Sequence, residues 1–125
     1  MKNNNLKFKI DIRKRSYIYA LKIIKLIESL PRNQTSKIVG GQLLRSATSI
    51  GANLIEAQAS GSKKDFTNFL NYALKSANES KFWLGLLRDS AQSAKEKIEP
   101  LLNETNEISN ILGSSILTLR GKREL

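Results

Sequence analysis

The 125-residue chain contains no cysteine and no histidine. The first absence excludes disulfides, thiol nucleophiles and cysteine metal sites. The second removes the base of Ser-His-Asp and Cys-His systems and the commonest transition-metal ligand. Proline is confined to Pro31 and Pro100, and aromatic residues make up 6% of the chain. That scarcity argues against a β-sandwich and suits helices. Long apolar runs are absent too. The longest uncharged stretch, Ile108 to Leu119, has 12 residues and holds Ser109, Asn110, Ser114, Ser115 and Thr118. A membrane span needs about 20 predominantly apolar residues. Met1-Lys2-Asn3-Asn4-Asn5 leads into no apolar leader core. A cytoplasmic protein with no membrane role, no metal and no cofactor is the expectation.

Acidic residues are also scarce. Lys and Arg number 21 against 11 Asp and Glu, a formal charge of +10. Residues 1–45 carry 11 basic and 2 acidic groups, whereas residues 46–125 carry 10 and 9. A basic first third on a near-neutral body points to a polyanionic partner; excess lysine that merely aids solubility is the plain alternative. Apolar residues, at 40%, suffice for one compact core.

The apolar spacing predicts four helical blocks with no internal repeat. Residues 1–10 read as a flexible basic arm, residues 11–120 as the bundle and residues 121–125 as a tail. The first block runs from about Asp11 to Leu30, with Tyr17, Ala20, Leu21, Ile24, Ile27 and Leu30 at three- and four-residue steps; Pro31 stops it. The second, about Ser36 to Ala59, carries Leu43, Ala47, Ile50 and Leu54, and its Gly40, Gly41 and Gly51 read as marks of close helix approach. Ser62 with Asp65 resembles a capping box opening the third block, Lys63 to about Ala91. The fourth is expected to start near Ile98 to Pro100, because proline suits a first turn, and to end with Gly121 as its cap. The class is all-α, an up-down antiparallel four-helix bundle. Doublets such as Leu43-Leu44, Leu54-Ile55, Trp83-Leu84 and Leu86-Leu87 widen the stripes. Neighbours on a helix diverge by about 100°, so one member of each faces outward or sideways, which favours self-association over a broad monomer core.

The polar residues carry the most specific pattern. Arg45, Ser49, Asn53 and Glu56 share a face of the second helix, as Ser76, Glu79 and Ser80 do on the third. The set reads either as a phosphate site around Arg45 or as a network fixing helix register or subunit pairing. Glu56 and Glu79 would repel a phosphate, which favours the network. An all-carboxylate magnesium site from the same two residues is a weaker reading.

The stretch Gln42-Leu43-Leu44-Arg45-Ser46-Ala47-Thr48-Ser49-Ile50-Gly51-Ala52-Asn53-Leu54-Ile55-Glu56-Ala57 resembles the signature of the bacterial four-helix bundle proteins linked to 23S ribosomal RNA intervening sequences. So does the set Lys64-Asp65-Phe66, Phe69-Leu70, Ala73, Ser76, Glu79 and Trp83-Leu84. The resemblance implies an up-down bundle assembled as a ring, a homopentamer, with no catalytic activity. It also implies kinship with the accessory proteins of diversity-generating retroelements, basic rings that bind nucleic acid and a reverse transcriptase. Its motif residues here are Gln42, Arg45, Ser49, Asn53, Glu56, Ser76 and Glu79, with a structural or interface role. Ala57 stands where the pattern usually has glycine, a departure that bears on where the second helix ends.

The expected function is that of a non-enzymatic, oligomeric nucleic-acid-binding protein. Lys7, Lys9, Arg13, Lys14, Arg15, Lys22 and Lys25 would neutralise phosphates. Tyr17 is expected in the core rather than stacked on bases. A protein-interaction scaffold with no nucleic-acid role is the alternative. Helical ribonucleases that pair Arg with His would lack their general base here.

Overall fold

The computed structural model describes the backbone of residues 2–124 and the side chains of residues 12–121. Four helices follow in order: α1 (Lys2–Glu28), α2 (Gln34–Ala59), α3 (Lys63–Asp89) and α4 (Lys95–Glu124). Each packs on its neighbours in the chain, and α4 closes back onto α1. Among the described residues the diagonal pairs α1/α3 and α2/α4 have no close backbone approach. Short connections between consecutive helices make the bundle up-down and antiparallel. The α1–α2 and α3–α4 turns meet at one end, where the Gln92 side-chain oxygen accepts from Asn33 Nδ2 at 2.8 Å and Ser36 Oγ at 3.0 Å.

The helix boundaries have local causes. Asn33 caps α2, its Oδ1 accepting the Ser36 amide at 2.8 Å, and Ser62 caps α3 by accepting the Asp65 amide at 3.1 Å. α3 stops at Asp89, short of the expected Ala91. The Gln92 amide bonds back to the Leu87 carbonyl at 3.0 Å and the Ala91 amide to that of Arg88 at 3.1 Å. Ala91 sits in the left-handed region at φ 59, so the end is a Schellman motif with alanine in glycine's usual place.

Other boundaries also differ from the sequence expectation. α1 begins at Lys2, and the backbone of residues 2–10, read above as an arm, continues the helix. No proline or glycine interrupts residues 2–28, so nothing there forces a break. α4 begins at Lys95 and carries Pro100 inside it. Pro100 and Glu96 are both exposed, so the Glu96 carbonyl that loses its donor faces solvent. Gly121 does not cap α4. The helix runs on to Glu124, and no glycine in the described backbone has positive φ.

The core is a column of branched aliphatic side chains: Ile23, Leu43, Ile50, Leu84, Leu87, Ile98, Ile108 and Leu112 are fully buried. Each contributes about 1.5–3 kcal/mol through removal from water. Alanines 47, 73 and 77 let the α2–α3 pair approach closely, and Gly40 admits Leu30, whose Cδ1 would lie 3.1 Å from an added Cβ. Gly51 is only in ordinary contact distance of Ser16, and Gly41 meets nothing within 4 Å, so of the three glycines only Gly40 marks a tight approach.

α1 presents a different face from the one its spacing suggested. Ile12, Ser16, Tyr19, Ile23 and Leu26 turn inward, with Tyr19 at 0% exposure and Tyr17 at 68%. The helix has two apolar rows, and the inner one is interrupted by Ser16, whose buried hydroxyl has no partner. Tyr17 is therefore a surface residue. Each doublet splits as expected: Leu43, Leu54, Leu84 and Leu87 are buried, while Leu44 and Trp83 are half-buried and Ile55 and Leu86 exposed.

Candidate functional site

Two surfaces gather the polar residues singled out by the sequence. The first is a flank of α1. Lys14, Lys22 and Lys25 are exposed and fall within about 80° of one another on the helix. None of the three is in an ion pair within the described part of the molecule. Arg13 is half-buried and lies on the side of α1 turned toward α2, away from this flank. Lys7 and Lys9 lie outside the described side chains.

Arg15 does not join them. Its Nε and Nη2 meet Glu104 at 2.7 and 2.8 Å, and Nη2 meets Glu107 at 2.8 Å. The two carboxylates raise its pKa further, chiefly through the Glu104 hydrogen bonds. A guanidinium held by two carboxylates is neutralised in place, so Arg15 is a clasp between α1 and α4 rather than a phosphate contact. Spacing gave no warning, because the partners lie 89 and 92 positions away.

The second surface is the α2–α3 face. Arg45 of α2 donates to Glu79 of α3 and, through Nε, to Gln42 Oε1 at 3.1 Å. Glu79 also accepts from Trp83 Nε1 at 2.8 Å. Beneath this row Ser46 and Ser80 exchange a buried hydroxyl contact at 2.8 Å, and Ser80 donates to the Ser76 carbonyl at 2.8 Å. Asn53 turns back to the Ser49 carbonyl of its own helix at 2.8 Å. Glu56 is exposed. The structure thus joins Gln42, Arg45, Glu79 and Trp83 into one chain of bonds across two helices and leaves Ser49, Asn53 and Glu56 outside it. A guanidinium already facing a carboxylate fixes register between helices and is a poor phosphate site. Trp83, which the polar spacing did not single out, is the residue that completes the row. Its signal was the four-residue step from Glu79. With Glu79 so engaged, the Glu56–Glu79 magnesium reading has no geometric support. Among the described residues no group of three or more acidic side chains is placed to hold a metal.

One buried group is shifted in its titration. Tyr19 has its hydroxyl 2.7 Å from Thr105 Oγ1, which donates its own proton to the Leu101 carbonyl at 2.6 Å. Tyr19 is therefore the donor, and burial pushes its pKa up to about 12. The arrangement is a core polar layer with no open approach. No helix among the described residues is long and apolar enough to cross a membrane.

Comparison with known proteins bears on this architecture as a whole. The family described as 23S rRNA-intervening sequence protein matches over residues 9–114. A solved structure of a protein with unknown function from the S23 ribosomal protein family of Bacteroides thetaiotaomicron superposes with a TM-score of 0.82 at 38% identity. The match covers 87% of this chain and 97% of that one. No curated protein matches the chain.

Proposed function

The chain belongs to the 23S rRNA-intervening sequence protein family, and on that premise we propose that it is a non-enzymatic, oligomeric nucleic-acid-binding protein of the cytoplasm. The observation that carries the reading is the flank Lys14, Lys22 and Lys25: three exposed ammonium groups, in no ion pair among the described residues, on the most basic part of a chain of charge +10. Such groups neutralise phosphates and release condensed counterions, which supplies affinity with little sequence information. One subunit offers few contacts. Repeating the flank around a ring, a pentamer in this proposal, converts weak contacts into avidity by raising effective concentration.

Charge reversal tests it. The triple variant Lys14→Glu, Lys22→Glu and Lys25→Glu is expected to lose at least tenfold in affinity for single- and double-stranded RNA and DNA, with its mass by light scattering unchanged. Unchanged binding would overturn the reading. A parent protein with no affinity for either polymer would favour the scaffold alternative, which the exposed apolar side chains also serve.

A further inference from the structure

Folding redistributes the charge along the bundle axis. The α2–α3 turn, the start of α1 and the end of α4 share one end, opposite the α1–α2 and α3–α4 turns. Cut near the helix midpoints, the half holding that end (residues 2–14, 47–76 and 110–124) carries 11 basic and 4 acidic groups. The other half (residues 15–46 and 77–109) carries 10 and 7. One half is thus at +7 and the other at +3. Chain order hides the difference, because the basic end draws on three separate segments. The ion pairs of Arg15, Arg45 and Arg88 all lie in the second half. At the basic end Lys63, Lys64 and Arg120 are exposed and in no ion pair among the described residues.

We propose that this end of the bundle is a second nucleic-acid contact, where Lys63 and Lys64 at the start of α3 and Arg120 near the end of α4 bind the sugar-phosphate backbone of a strand that continues along the α1 flank. The inference rests on the nucleic-acid reading above and adds where the strand enters. Lys14 is the flank residue nearest this end. Lys22 and Lys25 follow it along α1, about 12 and 17 Å further from the end at about 1.5 Å per residue.

The surface between the cations suits such a strand. Where the helix ends part there is a cleft of about 1120 Å³, with Arg15 and Lys63 in its lining and no carboxylate among the described residues there. Neutral side chains rim it: Gln58, Ser60, Ser62, Asn110, Ser114 and Thr118. Hydroxyl and amide groups of this kind bond phosphate and sugar oxygens alongside Lys and Arg. A nucleic acid supplies phosphates at regular intervals with sugar oxygens between them, which matches cations separated by neutral groups. The cleft at the opposite end, of about 920 Å³, includes the carboxylate of Glu28.

Two variants of equal charge separate contact at this end from attraction by total charge. The end variant Lys63→Gln, Lys64→Gln and Arg120→Gln and the control Arg32→Gln, Lys95→Gln and Lys97→Gln each remove three positive charges. All six residues are exposed, and circular dichroism and light scattering are expected to show unchanged helix content and mass. Titrated against a single-stranded RNA and a duplex DNA, the end variant is expected to lose at least tenfold in affinity. Its log–log salt slope is expected to fall by about two to three. The control is expected to lose less than threefold. Acetylation of the parent protein with and without nucleic acid gives a second readout that needs no variant: Lys63 and Lys64 are expected to be protected, and Lys95 and Lys97 to react as in the free protein. Equal losses in the two variants, no loss in the end variant, or unprotected Lys63 and Lys64 would overturn the end contact and leave the α1 flank reading standing. A parent with no affinity for either polymer would overturn both and leave the basic end to an acidic protein.

Discussion

At the scale of single residues, Ala91 is strained among the described positions. It holds φ 59 at the end of α3, where an L side chain crowds the following carbonyl at a cost of about 1–2 kcal/mol. Its residue is exposed, so removing the methyl leaves no cavity. Ala91→Gly is expected to stabilise the protein by about 0.5–1 kcal/mol, the gain being reduced by the entropy of an unfolded glycine. Urea denaturation checks it, with a raised midpoint at unchanged slope. Tyr19 is the residue through which alkali reaches the core. Its folded pKa is raised to about 12 while the unfolded value stays near 10. The unfolded chain therefore loses the proton first, and stability present below pH 10 declines as pH rises toward 12. Tyr19→Phe is expected to cost about 1 kcal/mol at pH 7 and to flatten the stability profile between pH 10 and 12. An equally steep profile in the variant would contradict this. Neither feature could be read from the chain: Ala91 is one alanine among many, and the Tyr19 partner is 86 positions away.

Among the elements, α1 separates what pattern reveals from what it hides. Its helical character and its stop at Pro31 are legible from spacing and proline chemistry. Which face it buries is not. Two apolar rows compete, and spacing alone does not decide between them: Tyr17, Leu21 and Ile24 are left exposed, while Ile12, Tyr19, Ile23 and Leu26 are buried. The buried row contains Ser16, a small polar residue in ordinary contact with Gly51, and its hydroxyl breaks the hydrophobic pattern. Basic residues mislead in the same way. Lys14 and Arg15 are adjacent and equally cationic in sequence, but α4 brings Glu104 and Glu107 to only one of them. Arg15→Gln is expected to destabilise the bundle by about 0.5–1 kcal/mol, since the pair is partly exposed and screened. It is also expected to change nucleic-acid affinity by less than twofold. Urea denaturation and a binding titration on the same variant separate the two roles. For α2 and α3 the polar pattern was more informative, because Arg45 and Glu79 sit on facing rows of helices joined by a short turn. The network reading followed from the carboxylates near Arg45, which would repel a phosphate, and the contact across the helices agrees with it.

For the whole molecule, the four-helix order followed from amphipathic spacing and two breaks, and the absence of strand-forming composition left little competition. What composition could not supply was the outer surface. The basic end became visible only once the bundle gathered the start of α1, the α2–α3 turn and the end of α4. The charge of +10, in contrast, is a property of the sequence that the fold distributes. Its proposed use is phosphate neutralisation, and salt reports that directly. Binding of the intact protein to a single-stranded RNA and a duplex DNA, titrated from about 50 to about 200 mM salt, is the most direct measurement. Three phosphate contacts per site correspond to a loss of about 40-fold on the duplex and about 20-fold on the single strand over that range, and a ring engaging more flanks to a steeper loss. A slope of that size, reduced in the Lys14, Lys22 and Lys25 charge-reversal variant, is the predicted result; affinity independent of salt would contradict the account.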